Sequence, residues 1–429
     1  MSSEQIPQVV DQVYPQESGR ILAALIASLR DFTLAEDALQ DAMVAALQQW
    51  PASGVPRNPA AWLTTIARRR AIDRLRREGT LAQKQALLQS LEESAATDSL
   101  DSEDVAEDAP PIPDERLKLF FTCCHPALPL EARVALTLRT LGGLSTAEIA
   151  AAFLTPLPTM AQRLVRAQRK IRDAGIPYRA PPLPLLAERM EGVLAVLYLI
   201  FNEGYISASG DALIRQDLCA EAIRLTRVLV ALIASEPELP DEPEVLGLLA
   251  LMLLHASRRA ARVDAAGDLV LLEDQDRTLW NWAEIVEGME ILDKALAMRR
   301  PGPYQIQAAI SALHAEAPTP AETDWQQIAL LYARLADMTP SPVVELNQAV
   351  AVAMAEGPDA GLEMLDRLRL GEALAHYHLY HAARADLLRR AGRTTEAAGS
   401  YREALRFCQN RIERRFLQRR LAELAARLS

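Results

Sequence analysis

Arg163, Arg166, Arg169, Lys170 and Arg172 fall within fourteen consecutive residues, Thr159 to Arg172, that hold no carboxylate, in a chain whose formal net charge is −11. Cations at this density pair with phosphates, and an arginine fork can also donate to the edge of guanine. A second cluster, Arg68, Arg69, Arg70, Arg74, Arg76 and Arg77 with Asp73 among them, closes the stretch AAWLTTIARRRAIDRLRRE. Arginines late in a helix complement its dipole, which explains two or three of these but not six. Other reactive types are placed less productively. Cys123 and Cys124 adjoin His125, yet neighbouring side chains do not readily wrap one tetrahedral zinc, and buried packing is the expectation. His376, His378 and His381 recur at helical spacing without the glutamate of an HExxH motif and read as interhelical contacts. No Ser/His/Asp order, P-loop or dinucleotide glycine pattern occurs. The sequence therefore predicts no enzyme, no cofactor and no metal.

The elements that must carry these cations are helices. Apolar residues recur at three and four spacing almost throughout the 429 residues, and alternating Val/Ile/Thr runs are nearly absent, so the chain reads as all-α. Thr33 to Trp50 forms an amphipathic helix, with Leu34, Ala38, Met43, Ala46, Leu47 and Trp50 expected inside and Glu36, Asp37, Gln40 and Asp41 outside. A Pro and Gly-rich loop, Pro51 to Pro59, leads into a helix over Ala60 to Glu78 with Trp62, Leu63 and Ile66 on one stripe. Further on, Ser145 with Glu148 reads as a capping box opening the short helix STAEIAAAFL. After the turn TPLP, a helix from Thr159 sets Met160, Leu164, Ala167 and Ile171 on one stripe able to pack on Ile149 and Phe153. Gln162, Arg163, Arg166, Arg169 and Lys170 then face away. The lengths match a helix-turn-helix, and the outer face suits major-groove reading. A merely solvated basic face is the plain alternative.

Length and charge bound the organisation. Two to four domains fit 429 residues. Net charge by segment is 0 over 1–80, −9 over 81–115, +7 over 116–179 and −9 over 180–429. The segment 81–115 is a flexible acidic tether by composition. Prolines in IPYRAPPLP mark a second boundary. The longest apolar runs fall short of a membrane span, no export signal is visible, and four cysteines give no disulfide framework, so a cytoplasmic location is expected.

Taken in order, AEDALQD, NPAAWLTTIARRRAIDRLRRE, an acidic linker, and LPLEARVALTLRTLGGLSTAEIAAAF with TMAQRLVRAQRKIR resemble regions 2 and 4 of a bacterial RNA polymerase sigma factor of the extracytoplasmic-function class. The runs YLIFNEGY, LWNWAEI, GPYQIQAAISALHAEA and YHLYHAARADLLRRAGRTTEAAGSYREAL are similar to the subgroup with a long tetratricopeptide-like extension.

The resemblance implies region 2 over 1–80, a linker over 81–115, a helix-turn-helix region 4 over 116–179 and a helical extension over 180–429. It implies core RNA polymerase and promoter DNA as partners, with a protein or peptide as the expected partner of the extension. Asp37, Gln40 and Asp41 occupy positions that dock on the polymerase. Arg57, Asn58 and Trp62 lie near the flipped base of the melted minus-10 strand, and Arg69, Arg70 and Arg74 lie along its backbone. Thr159, Gln162, Arg163 and Arg166 read duplex minus-35 DNA, with Arg169 and Lys170 on phosphates. The linker would thread the polymerase's RNA channel, with Glu103, Asp104, Glu107 and Asp108 standing in for RNA. Within the extension, Ala385, Leu388, Gly392, Ala397, Tyr401 and Ala404 match the small and aromatic positions of a repeat. The competing reading is a one-component helix-turn-helix regulator with a repeat-type sensor domain, which would need neither the first module nor the tether.

Overall fold

A computed structural model describes residues 6–29, 31–77, 115–153, 155–205, 216–235, 242–264, 266–369, 374–408 and 410–428. The described residues are helical, and their extended pairing is limited to one isolated bridge, Val263 to Leu269. No helix among them is long and apolar enough to cross a membrane. The tether expected over 81–115 lies outside the described residues except for Glu115.

The chain forms two compact units, Met1–Leu199 with Ala231–Leu239, and Ile200–Val230 with Pro240–Ser429. The first unit is built on α1 (Ile6–Leu29), α2 (Phe32–Ser53) and α3 (Pro59–Arg77), each packed on the other two, followed by α4 (Arg116–Cys123), α5 (Leu130–Thr140), α6 (Thr146–Ala152) and α7 (Leu157–Asp173). α8 (Leu183–Tyr205) and α9 (Gln216–Ser235) each belong partly to both units.

Local chemistry sets the helix ends. Asp31 caps α2 by accepting the Leu34 N–H at 3.0 Å, and Gly54, at φ +85°, donates its N–H to Trp50 O to close it. A left-handed residue there favours glycine. Asn58 Oδ1 accepts the Ala61 N–H at 3.1 Å at the start of α3, where Pro59 needs no partner for a missing N–H. The capping box closes reciprocally: Ser145 N–H donates to Glu148 Oε2 at 2.7 Å and Glu148 N–H to Ser145 Oγ at 3.2 Å. Two boundaries differ from expectation. α2 continues through Pro51 to Ser53, shortening the loop expected from Pro51. α7 begins at Leu157, two residues early, with Pro158 in its first turn, where proline costs no hydrogen bond.

The inner face of α2 also differs. Phe32, Ala35, Ala38, Leu39, Ala42, Ala45, Ala46 and Trp50 are buried, whereas Leu34 and Met43 are only half-buried and Leu47 is 42% exposed. A stripe of alanines lets α2 lie close between α1 and α3, and the larger residues are displaced to its flanks. Glu36, expected outside, is half-buried.

In the second unit α10 (Pro243–Ala256) is apolar nearly all round and is packed by α11 (Trp282–Ala297) and α12 (Pro303–Glu316). Beyond it α13 (Trp325–Met338), α14 (Pro342–Glu356), α15 (Pro358–Arg369), α16 (His378–Arg390), α17 (Thr394–Phe407) and α18 (Arg411–Leu428) mostly pack on their sequence neighbours. Ala385, Leu388, Ala397, Tyr401 and Ala404 are buried together in one core cluster, and Gly392, at φ +75°, turns α16 into α17.

Candidate nucleic-acid interface

Met160, Leu164, Ala167 and Ile171 are all buried, as their stripe required, and Ile149 is buried on α6 beside them. The opposite face of α7 is left to solvent. Thr159, Gln162, Arg166, Arg169 and Lys170 are exposed and Arg163 is half-buried. Val165, 53% exposed on the same face, was not singled out from sequence. Its methyls are the kind of group that meets a thymine methyl in the major groove.

On α3, Arg69 and Arg70 are exposed, and Arg57 and Asn58 are exposed in the loop before it. Trp62 is not a free platform. It is 7% exposed and stands edge-on to Trp50, ring centroids 5.4 Å apart, so its ring belongs to the α2–α3 core. A tryptophan in the first turn of an amphipathic helix gave no sequence signal separating a packed ring from a stacking one. Arg74 and Asp37, expected to meet different partners, meet each other at 2.6 Å. Both are partly exposed, and such a pair contributes about 0–1 kcal/mol, so it exchanges readily for another partner.

The outer face of α2 carries Gln40 and Asp41, both exposed, continued one turn on by Val44, 53% exposed, and Leu47. Sequence reasoning missed the apolar half of this surface because Leu47 was counted into the core and Val44 into neither face.

The two modules expected as separate bodies pack within one unit. α1 touches α4 and α5, and a Cβ on Gly19 would stand 2.7 Å from Leu141 O, so only glycine allows that approach. The Tyr178 hydroxyl lies 2.9 Å from Ala23 O and 3.3 Å from Glu115 O. Glu36 on α2 lies 3.3 Å from Arg139 on α5. Burial raises the Glu36 carboxyl above its ordinary range, opposed by Arg139 and by a hydrogen bond from Gln168. The tyrosine and the ion pair flank a cleft of about 840 Å³ that also takes in Val165, Arg169 and Arg172 of α7.

Cys123 and Cys124 are buried and lie 3.2 Å and 3.5 Å from the hydroxyls of Thr140 and Thr137. Burial pushes both thiols up, Cys124 to about 11. They pack between α4 and α5, as expected of buried cysteines. His125 is held below its ordinary value by burial and by Arg189 and Arg133.

Residues 16–80 match Sigma-70 region 2 and residues 121–171 match Sigma-70, region 4. The ECF RNA polymerase sigma factor SigK of Mycobacterium ulcerans (strain Agy99) is 30% identical over 164 residues, covering 37% of this chain and 82% of that protein. The chain belongs to the extracytoplasmic-function sigma factor family. A sigma factor of this family has core RNA polymerase and promoter DNA as its partners, which is the role its two matched regions carry. Residues 189–296 match a family of unknown function (DUF6596), and an uncharacterized protein of Rhizobium meliloti (strain 1021) is 45% identical over 409 residues, 94% of this chain and 93% of that protein. No solved structure matches the chain.

Proposed function

We propose that this sigma factor docks on core RNA polymerase through the outer face of α2, using Asp37, Gln40 and Asp41 together with the exposed Val44 and Leu47. Arg57, Asn58, Arg69 and Arg70 then hold the melted minus-10 strand. Asn58 uses its side-chain oxygen as the α3 cap, which leaves the amide NH2 as the donor toward a base. Arg74 joins them when its pair with Asp37 is exchanged, and Trp62 acts beneath them by fixing α3 on α2. Thr159, Gln162, Arg163 and Arg166 read duplex minus-35 DNA, and Arg169 and Lys170 hold phosphates. The chain works in the cytoplasm, where polymerase and promoter are.

The observation that carries this reading is the division of α7 into a buried apolar stripe and an exposed face without one carboxylate before Asp173. A helix held so firmly on one side can present the other as a rigid reader. The helical hairpins from α13 onward support a tetratricopeptide-like extension that regulates the factor, with a protein or peptide as its partner. Run-off transcription with purified core polymerase and the full chain tests the proposal. Promoter-specific transcripts dependent on the chain are expected. Failure of the chain to join core polymerase at low salt would overturn it and favour a one-component regulator.

A further inference from the structure

Three side chains from three different elements converge at one corner of the second unit. His378 is the first residue of α16, Cys408 follows the last turn of α17, and Glu413 sits in the first turn of α18. His378 Nε2 stands 3.1 Å from Glu413 Oε2, Cys408 Sγ stands 3.7 Å from the same oxygen, and the three donor atoms all lie within 4.8 Å of one another. We propose that His378 Nε2, Cys408 Sγ and Glu413 Oε2 form a binding site for a zinc-class divalent cation, with a fourth position left for water or a small donor.

The spacing agrees with the chemistry. Zinc bonds of about 2.0–2.3 Å to nitrogen, oxygen and sulfur in tetrahedral array put the donor atoms about 3.3–3.7 Å apart. The two measured separations bracket that range, and the third, within 4.8 Å, must close to about 3.5 Å. One thiolate, one imidazole and one carboxylate form a borderline-soft set that suits zinc and disfavours magnesium or calcium, which take oxygen donors.

The supports around the donors are already in place. The Asn410 side-chain oxygen accepts the N–H groups of Ile412 at 2.9 Å and Glu413 at 3.2 Å, fixing the turn that presents the carboxylate. Arg414 donates to the carbonyls of Leu405 at 2.6 Å and Cys408 at 2.8 Å, tying the end of α17 to the start of α18. Asn410 and Cys408 are buried, and His378 and Glu413 are half-buried. A cavity of about 330 Å³ opens beside the cluster, with His378 and Glu413 in its wall next to Tyr377, Tyr401 and Phe416. It gives an ion, and whatever takes the fourth position, a way in.

The ligating form of a cysteine is the thiolate, so binding of the cation should release a proton.

The test uses the full chain, reduced and stripped of metal, titrated with Co²⁺ and then with Zn²⁺. Binding of one Co²⁺ per chain is expected, with a sulfur-to-cobalt charge-transfer absorption, strong d–d bands of a four-coordinate site, and displacement of both by Zn²⁺. Cys408→Ser should abolish the charge-transfer band, whereas Cys219→Ser should retain it. His378→Ala or Glu413→Gln should weaken Zn²⁺ binding by about tenfold or more. The wild-type spectrum decides even if a variant fails to fold. An absence of saturable Co²⁺ binding, or a charge-transfer band that survives in folded Cys408→Ser, would overturn the site.

Discussion

Replacing Arg169 and Lys170 together by alanine tests whether the outer face of α7 lies on DNA. Both side chains are exposed and take part in no part of the core, so the double variant should fold with a stability change within about 0.5 kcal/mol. Four cations, Arg163, Arg166, Arg169 and Lys170, occupy that face. Each cation that neutralises a phosphate contributes about 0.9 to the fall of log affinity with log salt, so removing two should flatten that slope by about 1.8. Between about 50 and 200 mM salt, the wild-type holoenzyme should therefore lose about one decade of affinity more than the variant loses. The assay is fluorescence anisotropy of a labelled promoter duplex titrated with core polymerase carrying either chain, at several salt concentrations. Thr159, Gln162, Arg163 and Arg166 are the positions whose substitution should alter base preference instead. An unchanged slope with unchanged affinity would show that these cations are merely solvated, and the placement of region 4 on DNA would be refuted.

Other expectations concern the body that carries this face. Gly19→Ala gains about 0.5–1 kcal/mol of helix propensity but must push its Cβ away from Leu141 O at a cost of about 1–3 kcal/mol, so thermal unfolding should show net destabilisation, while Gly399→Ala, with open space around it, should stabilise. Glu36 titrates above its ordinary value of 4.5, so the folded state keeps its proton longer than the unfolded chain does, and stability falls as pH rises from that value through the raised one. Glu36→Gln should remove that fall; a variant whose Tm drops as steeply as wild type as pH rises above 4.5 would contradict the burial argument. Cys123 and Cys124 should resist thiol reagents in the folded chain and react only on denaturation, which a thiol count with and without denaturant measures.

How much of this was legible depended on what each residue type announces. The α7 stripe was plain because four apolar positions at helical spacing stand among cations, and Ser145 with Glu148 marked its own cap. The inner face of α2 was misread because alanine carries little hydrophobic signal, although it decides how near two helices can come. Trp62 was ambiguous for the opposite reason, since a tryptophan signals strongly as a packed ring or a stacking one, and its burial against Trp50 had no mark in sequence. The packing of the two matched regions in one unit rests on a glycine beside a carbonyl and a tyrosine hydroxyl reaching a carbonyl 155 positions away in the chain, neither of which leaves a pattern in sequence. The cluster of His378, Cys408 and Glu413 was equally hidden, because its members are spread over three elements.

The placement of α8 bears on how this protein can be dissected. Prolines near 180 invite a cut there, yet Leu186, Met190, Val193 and Leu194 beyond that point are buried residues of the first unit, and a Cβ on Gly192 would stand 3.6 Å from Cys124 O. A fragment ending at Arg179 would bare apolar surface that α8 normally covers, so lost transcription from it would report a damaged promoter reader, not a missing regulator. α8 is itself divided between the two units at Leu199 and Ile200, so a cut on either side of it takes residues from one of them.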